Sequence, residues 1–157
     1  TGAYCFYDND SVNAVTYGLL YNWYAVADSR NISPSGWHVP TLEEYSELEE
    51  YLITNSYNWD GSLSEDKTGK SLASKTGWMP SLDDGAVGNE MSTNNTSGFS
   101  ALPGGYRNYN IGYTGLWWTT TESGSNAWNS SLHYSYSSFH RNVNAKYIGF
   151  SVRLIRD

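Results

Sequence analysis

Glycoside hydrolysis needs two carboxyl groups flanking a scissile bond, one of them held in desolvating surroundings. Glu122, which follows the Trp117-Trp118 pair, is one such acid, and Glu90 or Asp60 are the partners on offer. No spacing ties these acids together, and a lone Glu near tryptophans more often serves as a structural acceptor. Serine nucleophiles fare worse, because no GxSxG occurs, and neither a phosphate loop nor a dinucleotide fingerprint is present. The single thiol, Cys5, excludes an internal disulfide, a Cys-based zinc site and CxxC redox chemistry. His38, His133 and His140 are too scattered along the chain for a metal signature. Tyr7-Asp8-Asn9-Asp10-Ser11 packs the side-chain oxygens of Asp8, Asn9 and Asp10 into a turn, an arrangement open to a structural calcium and equally to an Asx-turn. No cofactor is expected beyond that weak calcium candidate.

The residues best suited to act on another molecule lie in the last third. Of the 44 residues from Tyr106 to Gly149, 21 are Asn, Tyr, Ser or His, and only Arg107, Glu122, Arg141 and Lys146 are charged. Tyrosine supplies broad, stiff contact area, while Ser and Asn supply adaptable hydrogen bonding, the composition of a paratope. A plain antiparallel sheet with polar turns has similar composition. The run from His133 to Asn144 tips the balance, because it lacks the apolar alternation of a half-buried strand and so directs side chains at water or a partner. The expected ligand-binding residues are Asn108, Tyr109, Tyr113, Ser125, Asn129, His133, Tyr134, Tyr136, Ser138, His140, Asn142, Asn144 and Tyr147.

These residues need a frame. The chain has 157 residues with 16 acids and 9 bases, a net charge of −7 that offers no basic surface for nucleic acid. The charge is uneven: residues 1–105 carry 14 acids against 4 bases, and residues 106–157 carry 2 against 5. Length and 25 aromatic residues allow one domain with a core. No apolar run approaches the roughly 20 residues of a membrane span, so no transmembrane segment is expected. No signal peptide is visible, which leaves a mature, trimmed or intracellular chain.

Pro40 precedes the clearest helix, with Thr41 as N-cap, Glu44 as its capping-box partner, and Leu42, Tyr45, Leu48 and Leu52 on one face. Ser11–Ala27 reads as loop followed by helical turns, Asn55–Asp66 as loop, and Gly69–Thr76 as one or two turns holding Leu72 and Ala73 inward. Trp78–Thr96 reads as a long irregular segment, a length uncommon unless functional or supported by neighbours. Strands are expected at Phe99–Leu102, Leu116–Thr121, Asn126–Tyr136 and Lys146–Ile155. Trp23, Trp37, Leu48, Phe99, Trp118, Phe150 and Val152 should be buried; Trp128 could belong either to them or to the binding face, and the core is the expectation.

Six phrases in order along the chain carry a resemblance: Tyr4-Cys5-Phe6-Tyr7-Asp8-Asn9-Asp10, Tyr17-Gly18-Leu19-Leu20-Tyr21-Asn22-Trp23, Pro34-Ser35-Gly36-Trp37-His38-Val39-Pro40-Thr41, Gly98-Phe99-Ser100-Ala101-Leu102-Pro103-Gly104-Gly105-Tyr106-Arg107, Trp117-Trp118-Thr119-Thr120-Thr121-Glu122 and Gly149-Phe150-Ser151-Val152-Arg153. Together they resemble the Fibrobacter succinogenes major paralogous domain, which is similar to the C-type-lectin-like fold and to formylglycine-generating enzymes. The resemblance implies a single α+β domain over residues 1–157, with a small twisted antiparallel sheet, two helices and extensive irregular loops. It also implies a trimmed N-terminus and display at the cell surface or outside it, by a lipoprotein anchor or on a phage particle. Family members often carry Cys where Ser33 and Leu154 stand, which implies a lost disulfide. The reactive cysteine pair of the formylglycine-generating enzymes is absent too, which argues against that oxidase chemistry. A second resemblance is to variable proteins of diversity-generating retroelements, whose C-terminal region is rewritten at adenines so that Asn-type codons become Tyr, Ser, His, Asp, Thr or Ile; the stretch from Tyr106 to Ile148 is similar to that output.

The expectation is therefore a non-enzymatic receptor or adhesin whose residues 106–149 bind a protein or glycan on another cell or host surface. Single acid Glu122 in that region disfavours calcium-mediated sugar binding. The rivals are an oxidase or carboxylate hydrolase, and a structural part of a surface or phage assembly.

Overall fold

A computed structural model describes all of residues 1–157. The chain is α+β. Seven strands, β1 (Tyr4–Cys5), β2 (Leu20–Tyr21), β3 (Trp37–His38), β4 (Thr114–Ser123), β5 (Asn126–His133), β6 (His140–Ala145) and β7 (Ile155–Arg156), accompany four helices, α1 (Asn13–Tyr17), α2 (Trp23–Val26), α3 (Leu42–Thr54) and α4 (Gly69–Leu72). Every pairing between strands is antiparallel: β1 with β2, β3 with β7, and a three-stranded sheet in the order β4-β5-β6. No helix is long and apolar enough to cross a membrane.

α3 starts where local chemistry says it should. Thr41 Oγ1 accepts the Glu44 N–H at 3.1 Å and Glu44 returns Oε2 to the Thr41 N–H at 2.7 Å, so two of the helix's unpaired donors are satisfied. It is the one long helix; the others span four or five residues.

Adjacent tryptophans on β4 set up two cores, because successive strand residues face opposite ways. Trp117 enters one with Tyr45 and Leu52 of α3, Leu72, Trp78, Val87, Leu132 and Phe139. Trp118 enters the other with Trp23, Val26, Val39, Ala127 and Phe150. Buried indole N–H groups need acceptors. Trp118 Nε1 donates to the Tyr21 carbonyl at 2.8 Å, Trp23 Nε1 to that of Thr119 at 2.9 Å, and Trp78 Nε1 to Ser74 Oγ at 3.1 Å.

Several expected elements differ. Lys146–Ile155 is not one strand: Phe150 bridges Tyr21 and Ser151 bridges Trp117, stitching β2 to β4, and regular pairing resumes only at β7. Phe99–Leu102 is reduced to one bridge between Ala101 and Ala73. β6 arises in the stretch expected to lack a strand; its polar residues pair side chain to side chain, with Asn142 Nδ2 donating to Ser131 Oγ at 2.9 Å and Asn144 Nδ2 to Asn129 Oδ1 at 2.8 Å. Trp37, expected inside, is 42% exposed, while Val39, just past the two-residue β3, is buried. Trp128, Leu48, Phe99 and Val152 are half-buried.

Candidate functional site

Residues 134–139 join β5 to β6 and form a strap across one end of the sheet. Backbone bonds fix it: the Tyr134 N–H donates to Tyr113 (2.9 Å), while Val87, Gly88 and Gly69 donate N–H groups to the carbonyls of Tyr136, Tyr134 and Ser137 at 3.0, 2.7 and 2.7 Å. Position 88 must be Gly, since a Cβ there would stand 2.1 Å from the Met79 carbonyl oxygen. The end of the strap is capped by Asp66, whose Oδ2 accepts the Phe139 N–H at 2.6 Å. Nearby, Arg141 Nη2 reaches Glu49 Oε2 on α3 at 2.6 Å, and burial lifts the Glu49 carboxyl above its ordinary range with Asp66 adding to the lift and Arg141 opposing it.

The strap presents a continuous row of rings. Tyr113 and Tyr134 meet edge to face at 5.3 Å, Tyr134 and His133 lie 4.8 Å apart, His133 and Tyr136 also 4.8 Å, and Tyr136 meets His140 at 5.3 Å. Tyr113 and Tyr136 are 42% and 53% exposed, so the row stands partly open to solvent. Serines hold the imidazoles: His133 Nδ1 lies 2.8 Å from Ser135 Oγ, and His140 Nε2 lies 2.9 Å from Ser138 Oγ. Burial, with the charge of His140 adding to it, lowers the His133 pKa and favours its neutral form. The Ser135–His133 contact has no carboxylate behind the imidazole, the part that orients a nucleophilic triad.

Six expected residues thus meet here: Tyr113, His133, Tyr134, Tyr136, Ser138 and His140. Asn142 and Asn144 continue along β6 on the same face as His140, Asn142 exposed and Asn144 half-buried. Asn129 is a correction. It has no exposed surface, because it sits on the central strand between Trp118 and Asn142 and its Oδ1 is taken by Asn144, so it supports the face from beneath. Ser125 lies in the exposed β4–β5 turn and Tyr147 just past β6, at the far end of β5, about 24 Å of extended strand from His133. Asn108 is exposed in the turn before β4, and Tyr109 packs on Tyr106, whose ring in turn meets Phe150. These four belong to other surfaces.

Ser135, Gly88 and Asp66 were not foreseen. Ser135 stood inside the Tyr/Ser run, and Gly88 inside the long irregular segment that wanted neighbours to support it; Asp66 gave no signal. The acids weighed for hydrolysis stand apart: Glu122 pairs with Lys146 at 2.8 Å, Asp60 with Lys67 at 2.7 Å, and Glu90 has no ionic partner. Asp10 Oδ1 accepts the Val12 N–H at 2.9 Å, an Asx-turn, and no three His, Cys, Asp or Glu side chains gather in a metal-holding group.

The sequence model of the Fibrobacter succinogenes major domain matches residues 1–156. No curated protein matches the chain, and no solved structure does.

Proposed function

This chain belongs to the Fibrobacter succinogenes major domain family, and from that premise we propose that it is a non-enzymatic binding module, displayed at a cell surface, whose strap grips a protein partner. The observation that carries the reading is the joined row Tyr113, Tyr134, His133, Tyr136 and His140 at one end of the sheet. Half-exposed tyrosines on a hydrogen-bonded frame lose little entropy on binding and make typical hot spots. Asn142 and Ser138 beside them supply the polar rim. The scaffold is C-type-lectin-like; supporting this, the chain closes on itself, with β7 returning to β3 and Phe150 to Tyr21.

Retroelement diversification of residues 106–149 is part of the same proposal. In its favour, Trp117, Trp118 and Leu132 are core residues, while Tyr109, Tyr113, Tyr136, Asn142 and Tyr147 are exposed. A reverse transcriptase gene nearby, with a near-copy of the 3′ end differing at adenines, tests it.

The binding test is a screen of purified surface proteins against the wild type and a Tyr113→Ala/Tyr136→Ala variant. A partner bound by the first and lost by the second supports the proposal; a partner bound equally by both overturns this placement of the site.

A further inference from the structure

Behind the strap, a second recognition surface is built around Trp59. The Asn58 carboxamide is buried and closes the loop that follows it, donating to the carbonyls of Ser62 and Glu65 at 2.9 and 3.0 Å and accepting the Lys67 N–H at 3.0 Å. Trp59 emerges from this knot and lays its indole on Gly85, where a Cβ would stand 2.1 Å from Nε1 and Cε2. The indole is nevertheless 44% exposed, and no acceptor within the chain takes its N–H. Two clefts of about 310 and 340 Å³ meet along Trp59, Lys70 and Thr93. The smaller adds Asp84, Asn89 and Glu90, and the carboxylates of Asp84 and Glu90 have no hydrogen-bond partner.

The charges decide the ligand class. Lys70 is buried, and its ammonium is surrounded by the carbonyls of Ala86, Asn89 and Glu90, so it is not free to receive an anion. The Asp84 carboxylate repels anions further, while Glu90 offsets part of the Lys70 charge. What fits is a molecule with an apolar face for the indole and hydroxyls for the carboxylates and amides. The larger cleft is lined mainly by uncharged polar side chains, Asn55, Ser56, Thr93 and Thr96 among them, which suit hydroxyls; a cation over the indole is the competing reading, and choline tests it. We infer that the Trp59 cleft binds a neutral saccharide, the pyranose ring stacked on the indole and its hydroxyls donating to Asp84 and Glu90.

The test uses an array of neutral oligosaccharides built on glucose, galactose, mannose and N-acetylglucosamine. It is followed by ¹⁵N-HSQC titration with the best binder, reading the Trp59 indole N–H. The wild type should retain at least one of them, with the Trp59 signal shifting. Trp59→Ala should weaken retention by about tenfold. Asp84→Asn/Glu90→Gln, exposed changes that leave the spectrum folded, should weaken it too. The Tyr113→Ala/Tyr136→Ala variant should bind saccharide normally, which separates this site from the strap. The inference is overturned if no neutral saccharide binds at millimolar concentration, if Trp59→Ala binds as the wild type does, or if choline shifts the Trp59 indole signal while no saccharide does.

Discussion

The Gly88 N–H donates to the Tyr134 carbonyl at 2.7 Å in a space that has no room for a Cβ at position 88. Gly88→Ala must push against the Met79 carbonyl and the strap together. It should cost about 1–3 kcal/mol of stability, the usual range for overpacking, measured by urea unfolding. Amide shifts concentrated at residues 134–137 should accompany it. Unaltered stability would mean that the loop and the strap are not in register as described.

Tyr136 and Tyr147 are both exposed tyrosines of the same region, yet they lie at opposite ends of the sheet. Single alanine variants should therefore separate. Tyr136→Ala should lose at least about 2 kcal/mol of partner binding, the scale of a hot spot, while Tyr147→Ala stays near the wild-type affinity. Titration calorimetry with a partner from the screen gives the comparison, and equal losses would place the contact surface elsewhere.

His38 sits between two acids, with Nδ1 2.5 Å from Asp157 Oδ1 and Nε2 2.8 Å from Glu44 Oε1. The hydrogen bond to Asp157 first, then that to Glu44, raises its pKa above the ordinary histidine value. A raised folded-state pKa stabilises the native state fully below the unfolded pKa of about 6.5 and loses that contribution as pH climbs through the folded value. Melting temperature should thus fall as pH rises above about 6.5, and His38→Gln should flatten that limb. Histidine ¹H shifts followed against pH give the folded pKa directly; a value at or below 6.5 would contradict the geometry.

Thr41→Ala removes the oxygen that accepts the Glu44 N–H. A loss of about 1 kcal/mol is expected, with Thr41→Ser close to wild type. Thermal unfolding of the three proteins checks it.

The start of α3 was legible because a capping box is local: Thr41 and Glu44 are three residues apart and need nothing else. β6 was not legible, since a hydropathy pattern records apolar alternation, and here the alternating contacts are amide to hydroxyl and amide to amide. The strap's tyrosines were recognisable by type, whereas the division of residues 106–149 into two ends follows from the β5 length and the turn at Gly124, which composition does not encode. Lys70 gave no sign of burial, because the carbonyls that surround its ammonium come from residues 86–90 and are backbone atoms present in any sequence.

The bonds that tie Tyr134, Tyr136 and Ser137 to neighbouring segments all run between main-chain atoms, from Gly69, Val87 and Gly88 and to Tyr113. Fastening of that kind is blind to the identity of what it fastens. Different side chains can be exchanged at Tyr136 and Ser137 while the peptide groups keep their places and Tyr134 stays packed on the core, so the surface can change its specificity without having to find its shape again.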